Sequence, residues 1–265
     1  AEQYLPAGPD SPLPGSMCGA LLSLADKADT LAGCFGLGMI PTGAADPNGL
    51  RRCALGIIRI VLDFGLRLDM REVFARAQEL YGDRQWKLPP AEALDKLMDF
   101  FGARLRNYFM SRGQDTLLVD AALGAGMAQV KDCGERLEAL AAFSREAGFA
   151  EAAQTFKRVA NILRKQGQAE DIPAQWQAEL LHEDAEKALA ATLDDLLPEL
   201  DRMWAARDHA AALACLSNVR PAVDAFFDDV MVMCDDAALR RNRLAMLQAL
   251  GGRFARLADF AALQM

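Results

Sequence analysis

Lys157, Arg158, Asn161, Arg164 and Lys165 recur at three- and four-residue spacing. Wound into a helix of 3.6 residues per turn, they fall within an arc of roughly 120°. Four cations and an amide on one face are suited to binding an anion. Ammonium and guanidinium groups neutralise phosphates and release the counterions that surround a nucleic acid. Ala152, Phe156, Val159, Ala160 and Leu163 gather on the opposite side. One face can therefore pack into a core while the other stays in water. A merely solvated helix face is the plainer reading of the same pattern. A second window free of acids, 237–258, carries Arg240, Arg241, Arg243, Arg253 and Arg256. Here the arginines scatter around the helix. Arg243 projects within the apolar stripe of Met246, Leu250, Phe254 and Leu257, where an arginine serves as a structural ion-pair partner.

These windows stand out because the chain is acidic, with a formal net charge of −8 and a pI near 4.9. Taking their nine bases from the chain's 29 leaves 20 against 37 acids. An acidic total argues against a general polyanion binder, but segregated charge permits a local anion-binding face. Catalytic groups are scarce. The histidines are His182 and His209, and neither sits in a nucleophile motif; a hydrolytic triad needs one beside a nucleophile. No G-x-x-x-x-G-K-[ST] or G-x-G-x-x-G loop is present to cradle phosphates. The pairs Asp194-Asp195, Asp228-Asp229 and Asp235-Asp236 read as helix-terminal or solvated charges. No catalytic residue and no metal-ligand set is assigned.

An apolar fraction of 52% can fill a core, and sparse β-branched residues favour an all-α chain. Cys18, Cys34, Cys53, Cys133, Cys215 and Cys234 form no C-x-x-C pair and read as reduced thiols of a cytoplasmic protein. The best apolar run, Ala54–Leu62, is too short to span a bilayer and contains Arg59, so no membrane partner is expected. No secretory signal is recognised, and a start at Ala1 without methionine reads as a fragment of something longer.

Leu5–Gly15 carries four prolines and is a loop. A helix is predicted from Met17, with Leu21, Leu24, Ala25, Ala28, Leu31, Ala32 and Phe35 as its buried stripe. Asp46-Pro47 predicts a cap and first turn for the next helix. Helices follow from Asp69 to near Gly82, over Pro90–Arg112, Asp115–Leu123 and Val130–Ala147, and the basic helix spans Phe149–Lys165. Gln166–Pro173 reads as a linker. Ala185–Ala206, Ala210–Asn218 and a helix opened by Arg220-Pro221 come next. Val230–Met233 is a brief apolar run, and Asp235 is expected to cap the final helix.

The segment Leu24-Ala25-Asp26-Lys27-Ala28-Asp29-Thr30-Leu31 resembles the last metal-binding element of HD-domain phosphohydrolases. Asp26 would be the ligand there, but residues 1–181 hold no histidine. The preferred reading is a degenerate HD-like region in which Asp26 and Lys27 are structural or RNA-facing.

That segment joins others: Pro41-Thr42-Gly43 with Asp46-Pro47, Leu50-Arg51-Arg52-Cys53-Ala54-Leu55-Gly56-Ile57-Ile58-Arg59-Ile60, Lys157-Arg158-Val159-Ala160-Asn161-Ile162-Leu163, Val223–Met233, and Leu239-Arg240-Arg241-Asn242-Arg243-Leu244. In this order they resemble the C-terminal part of the β subunit of bacterial heterotetrameric glycyl-tRNA synthetase.

The resemblance implies an HD-like helical region over 1–114, connecting helices over 115–149, and over 150–265 an anticodon-binding helical domain similar to that of arginyl-tRNA synthetase. It implies that the chain holds tRNA(Gly). Glycine activation, with ATP and Mg, would belong to a separate α subunit in an α2β2 assembly. The tRNA-binding residues would be Lys157, Arg158, Asn161, Arg164 and Lys165, with Arg51, Arg52, Arg240 and Arg241 as further contacts. Asn161 either meets a base edge or caps a neighbouring turn. Only Phe149 and Phe156 accompany the basic helix as aromatics, which leaves little for unpaired bases to stack on. Ala44 and Ala45 replace a serine and a lysine usual in the family's loop, removing a proposed phosphate contact, and Asn48-Gly49 replaces a common Phe-Ala. A helical protein-binding scaffold with no nucleic-acid role is the alternative from another class.

Overall fold

The computed structural model describes residues 2–42, 46–166 and 171–263. Among them lie ten α-helices and no β-strand, so the all-α expectation holds. No helix is long and apolar enough to cross a membrane. The chain divides into two compact units. One comprises residues 1–114 and 126–134, the other residues 115–125 and 135–265.

In the first unit, α1 (Met17–Gly36) packs on α2 (Leu50–Asp63), α3 (Met70–Glu79) and α4 (Pro90–Ser111). Leu31, Phe35, Ile57, Ile58, Phe74, Leu97, Phe101 and Leu105 are fully buried between them. The ends follow local chemistry. The Ser16 hydroxyl accepts from the Gly19 N–H, and the Asp69 carboxylate accepts from those of Arg71 and Glu72. The expected cap-and-first-turn at Asp46-Pro47 is corrected: the helix starts at Leu50 with Gly49 as its N-cap residue, although the Asp46 carboxylate accepts from the N–H groups of Leu50 and Arg51. Gly49 at φ 66° provides the left-handed step into the helix. Gly43, Ala44 and Ala45 of the expected contact loop lie outside the described residues.

The buried stripe of α1 departs from expectation. Leu21 and Ala25 are exposed, while Ser23 and Lys27 turn inward. The cause is the proline-rich N-terminal loop, whose carbonyls need donors. The Ser23 hydroxyl donates to Leu5 at 2.5 Å, and Lys27 Nζ donates to the Ser23 hydroxyl at 2.7 Å and to the carbonyls of Gln3 and Leu5 at 3.4 Å. Arg59 of α2 donates to the carbonyls of Gly8 and Ser11 at 2.7 and 2.8 Å, so it is the paired structural residue that its apolar setting demanded. Asp26 stays exposed beside Lys27.

The second unit contains α5 (Thr116–Gly124), α7 (Phe149–Gln166), α8 (Asp184–Ala206), α9 (His209–Asp229) and α10 (Ala237–Leu257); α6 (Val130–Phe143) precedes α7. Helix α8 packs on α9, and α7 packs on both α9 and α10. Two expectations are corrected. Residues 209–229 form one helix, with Pro221 inside it, rather than two. Proline costs one backbone hydrogen bond and a steric adjustment, which burial of Leu216, Val219, Val223 and Phe226 along the same face offsets. Asp236, not Asp235, caps α10, accepting from the N–H groups of Ala238 and Leu239. Between α9 and α10 the run Val230–Met233 alternates, with Val230 and Val232 buried and Met231 and Met233 exposed. Of the expected linker Gln166–Pro173, residues 167–170 lie outside the described residues.

Candidate nucleic-acid interface

Helix α7 forms because its apolar residues recur at helical period and its partners are aromatic. Phe156 meets Phe254 of α10 at 3.9 Å between ring centres and Phe260, just beyond α10, at 5.3 Å. Ala152, Ala153, Phe156 and Val159 are buried. Gly251 of α10 lets Leu163 approach so closely that a methyl there would lie 2.4 Å from it. The apolar flank docked in this way turns the polar flank outward.

On that flank the expected residues behave differently from one another. Lys157 is half-buried, and its Nζ donates to the Leu263 carbonyl at 2.8 Å, tying down the segment after α10. Arg158 is exposed, and its guanidinium carbon lies 4.0 Å above the centre of the Phe227 ring of α9. Arg164 is exposed and donates to Asn161 Oδ1 at 2.9 Å, so Asn161 steadies a neighbouring cation. Lys165 is exposed in the last turn. Among the described residues none of these four cations has a carboxylate within ion-pair distance. Acids do approach the other end of the helix, where Arg220 of α9 lies 4.0 Å from Glu151 and 3.7 Å from Asp224, and Asp224 accepts from Thr155. The structure thus gathers Lys157, Arg158, Asn161, Arg164 and Lys165 on one helix flank.

The arginines of α10 are drawn into the protein's own contacts. Arg240 donates to the carbonyls of Cys234 and Asp235, at 2.7 and 3.3 Å, closing the turn that leads into the helix. Arg241 is exposed, with its Nε on the Ala237 carbonyl one turn back. Arg253 and Arg256 share Asp201 of α8, and Arg256 also lies over the ring of Trp204. Arg243 is buried against Glu186. Arg51 and Arg52 belong to the first unit. Arg51 is half-buried and Arg52 is exposed, with its guanidinium against Gly49.

Sequence reasoning missed Phe227, which lies far along the chain from Arg158. No sequence pattern pairs the two, because Phe227 reaches Arg158 from a different helix.

Comparison with known proteins finds two families along the chain. The family described as "Glycyl-tRNA synthetase beta subunit" matches residues 1–124, and that described as "DALR anticodon binding domain" matches residues 153–257. Similar curated proteins are named glycine–tRNA ligase beta subunit. They include those of Nitratidesulfovibrio vulgaris strain Hildenborough (64% identical over 267 residues), N. vulgaris strain Miyazaki F (63% over 273) and Oleidesulfovibrio alaskensis (62% over 267). Each alignment takes in all of this chain but only 38%, 39% and 38% of the relative, respectively. The chain spans under two-fifths of the length of these relatives. With matches to both descriptions, and such identity along its whole length, the chain belongs to the glycyl-tRNA synthetase beta subunit family.

Proposed function

We propose that this chain is the tRNA-holding portion of a glycine–tRNA ligase, with the flank of α7 laid against the sugar-phosphate backbone of tRNA(Gly). The observation that carries the reading is the basic flank itself: Arg158, Arg164 and Lys165 are exposed, and no carboxylate of the described residues neutralises them. Unpaired surface cations also occur without a ligand, and Arg164 and Lys165 favour the carbonyl end of their own helix. What lifts this flank above that background is its segregation in an acidic chain, within the segment that matches the anticodon-binding description. Arg240 and Arg241 are weaker candidates because their guanidinium groups bind local carbonyls. Arg51 and Arg52 would meet another part of the same RNA.

Glycine activation, with ATP and Mg, is assigned to the separate α subunit, in an α2β2 assembly acting in the cytoplasm. Support comes from the name of the relatives, which marks them as the beta subunit of the ligase.

The test is Arg164→Ala with Lys165→Ala in the full-length polypeptide, titrated with tRNA(Gly) across a range of salt. Loss of two phosphate contacts flattens the slope of log affinity against log salt by about 1.4 to 1.8. Unchanged affinity and slope would remove RNA from this face and favour a protein partner.

A further inference from the structure

We infer that Arg158 seated on Phe227 forms a stacking site for one unpaired nucleobase. This deepens the RNA-binding reading above and rests on it. The four cations of α7 are not equivalent. Lys157 is held by a backbone carbonyl and Arg164 by an amide oxygen. Arg158 has no hydrogen-bond acceptor among the described residues, and an aromatic ring lies beneath it at 4.0 Å. That ring is fixed: Phe227 is 7% exposed, on a helix that packs against α7. The guanidinium therefore has an aromatic ring on one side, while Arg158 itself is exposed to solvent.

A guanidinium is planar, delocalised and weakly hydrated, so it accepts stacking partners on both faces. A nucleobase on the open face would continue a stack whose base is set by Phe227. Single-stranded RNA loops are recognised in this way, with splayed bases laid on aromatic rings or arginine planes. A phosphate would use only the edge N–H groups, a role lysine also fills. This site supplies the aromatic support that the composition around α7 lacks, since Phe149 and Phe156 both serve packing.

Arg158→Lys separates the two roles, because it keeps the charge and removes the plane. The experiment uses the full-length polypeptide, a tRNA(Gly) transcript, and transcripts made abasic at one anticodon-loop position at a time. Arg158→Lys is expected to weaken binding of the intact transcript about tenfold or more, with the salt slope unchanged. One abasic transcript should show the same loss against the native protein and no further loss against Arg158→Lys. Near-native binding by Arg158→Lys, with a slope flattened by about one in Arg158→Ala, would make the residue a phosphate contact and overturn the inference. So would abasic losses that are the same in both proteins. Native binding by Arg158→Ala would leave the Arg158–Phe227 pair a packing contact only. Failure of the underlying reading is distinguishable, because it appears as native binding by the Arg164→Ala, Lys165→Ala variant.

Discussion

Arg243 Nε of α10 lies 2.5 Å from Glu186 Oε1 of α8, with both side chains shut away from water. The contact is the centre of a small network. Glu186 Oε2 accepts from the N–H groups of His182 and Glu183 at 2.7 and 2.9 Å, completing the capping box of α8. Arg243 Nη1 donates to the Met231 carbonyl at 3.0 Å. One ion pair thus fastens the start of α8, the body of α10 and the segment between α9 and α10. Breaking a buried pair strands the remaining charge, at a cost of about 3–5 kcal/mol. Arg243→Met is expected to destabilise the protein by that amount in urea titration. A loss under 1 kcal/mol would show the network to be dispensable.

The same carboxylate makes stability depend on pH. Burial pushes the Glu186 carboxyl up, but the Glu183 N–H, the Arg243 guanidinium and the His182 N–H outweigh it and hold it below the ordinary range. A carboxyl whose folded value is lowered stabilises above the unfolded value, near 4.3, and loses that contribution as pH falls through the folded value. Unfolding free energy should therefore drop below about pH 4.3 in the native protein. Glu186→Gln should be less stable at neutral pH and fall less steeply over that window. Parallel curves for the two proteins would contradict this.

These elements mark how far the sequence is legible. An arginine inside an apolar stripe must find an acceptor, so the structural roles of Arg59 and Arg243 follow from position alone. Their partners do not: Glu186 is 57 residues from Arg243, and Arg59 binds two loop carbonyls. Helical periodicity located α7 and its basic flank. It misplaced Leu21, because the stripe of α1 bends toward Ser23 and Lys27 to serve the N-terminal loop. The platform under Arg158 was illegible because Phe227 approaches from another helix.

Lys27 yields a second pH prediction, at the alkaline end and with burial as the cause. Burial lowers its ammonium below the usual lysine range, against the opposing influence of Cys53 and Asp26. The folded state thus penalises the charged form, and stability should rise as pH climbs through the folded value toward the unfolded one near 10.4. Lys27→Met keeps the aliphatic stem and removes the proton. It should abolish that rise below the unfolded value, as followed by thermal melting at matched ionic strength. Persistence of the rise would place its origin elsewhere.

Gly36 ends α1 where a methyl would lie 1.7 Å from the Trp86 ring. Alanine replacing glycine within a helix ordinarily stabilises by up to about 1 kcal/mol. Here the added carbon must displace an indole that also packs edge-on against Tyr81 at 5.1 Å. Overpacking of this kind costs about 1–3 kcal/mol. Gly36→Ala should therefore be destabilising in urea titration, with altered Trp86 emission in the native state. A more stable variant with native emission would show that the indole relocates freely.

Lys157 and Lys165 lie on the same flank of α7 but should separate stability from RNA affinity. Lys157 holds the Leu263 carbonyl at 2.8 Å, so Lys157→Ala releases the segment that carries Phe260 into the ring cluster. A hydrogen bond from a charged donor contributes about 1.5–3 kcal/mol when buried. At this half-buried position, a loss near 1 kcal/mol is expected. Lys165 is exposed in the last helical turn, and its replacement by alanine should leave stability within about 0.5 kcal/mol. If RNA lies along the flank, Lys165→Ala flattens the salt slope by about 0.7 to 0.9. Lys157→Ala should change the slope less than it changes the urea midpoint. The reverse pattern, with Lys157 governing the slope and Lys165 the midpoint, would show that the carbonyl contact is released in the complex and that Lys157 turns to the phosphates instead.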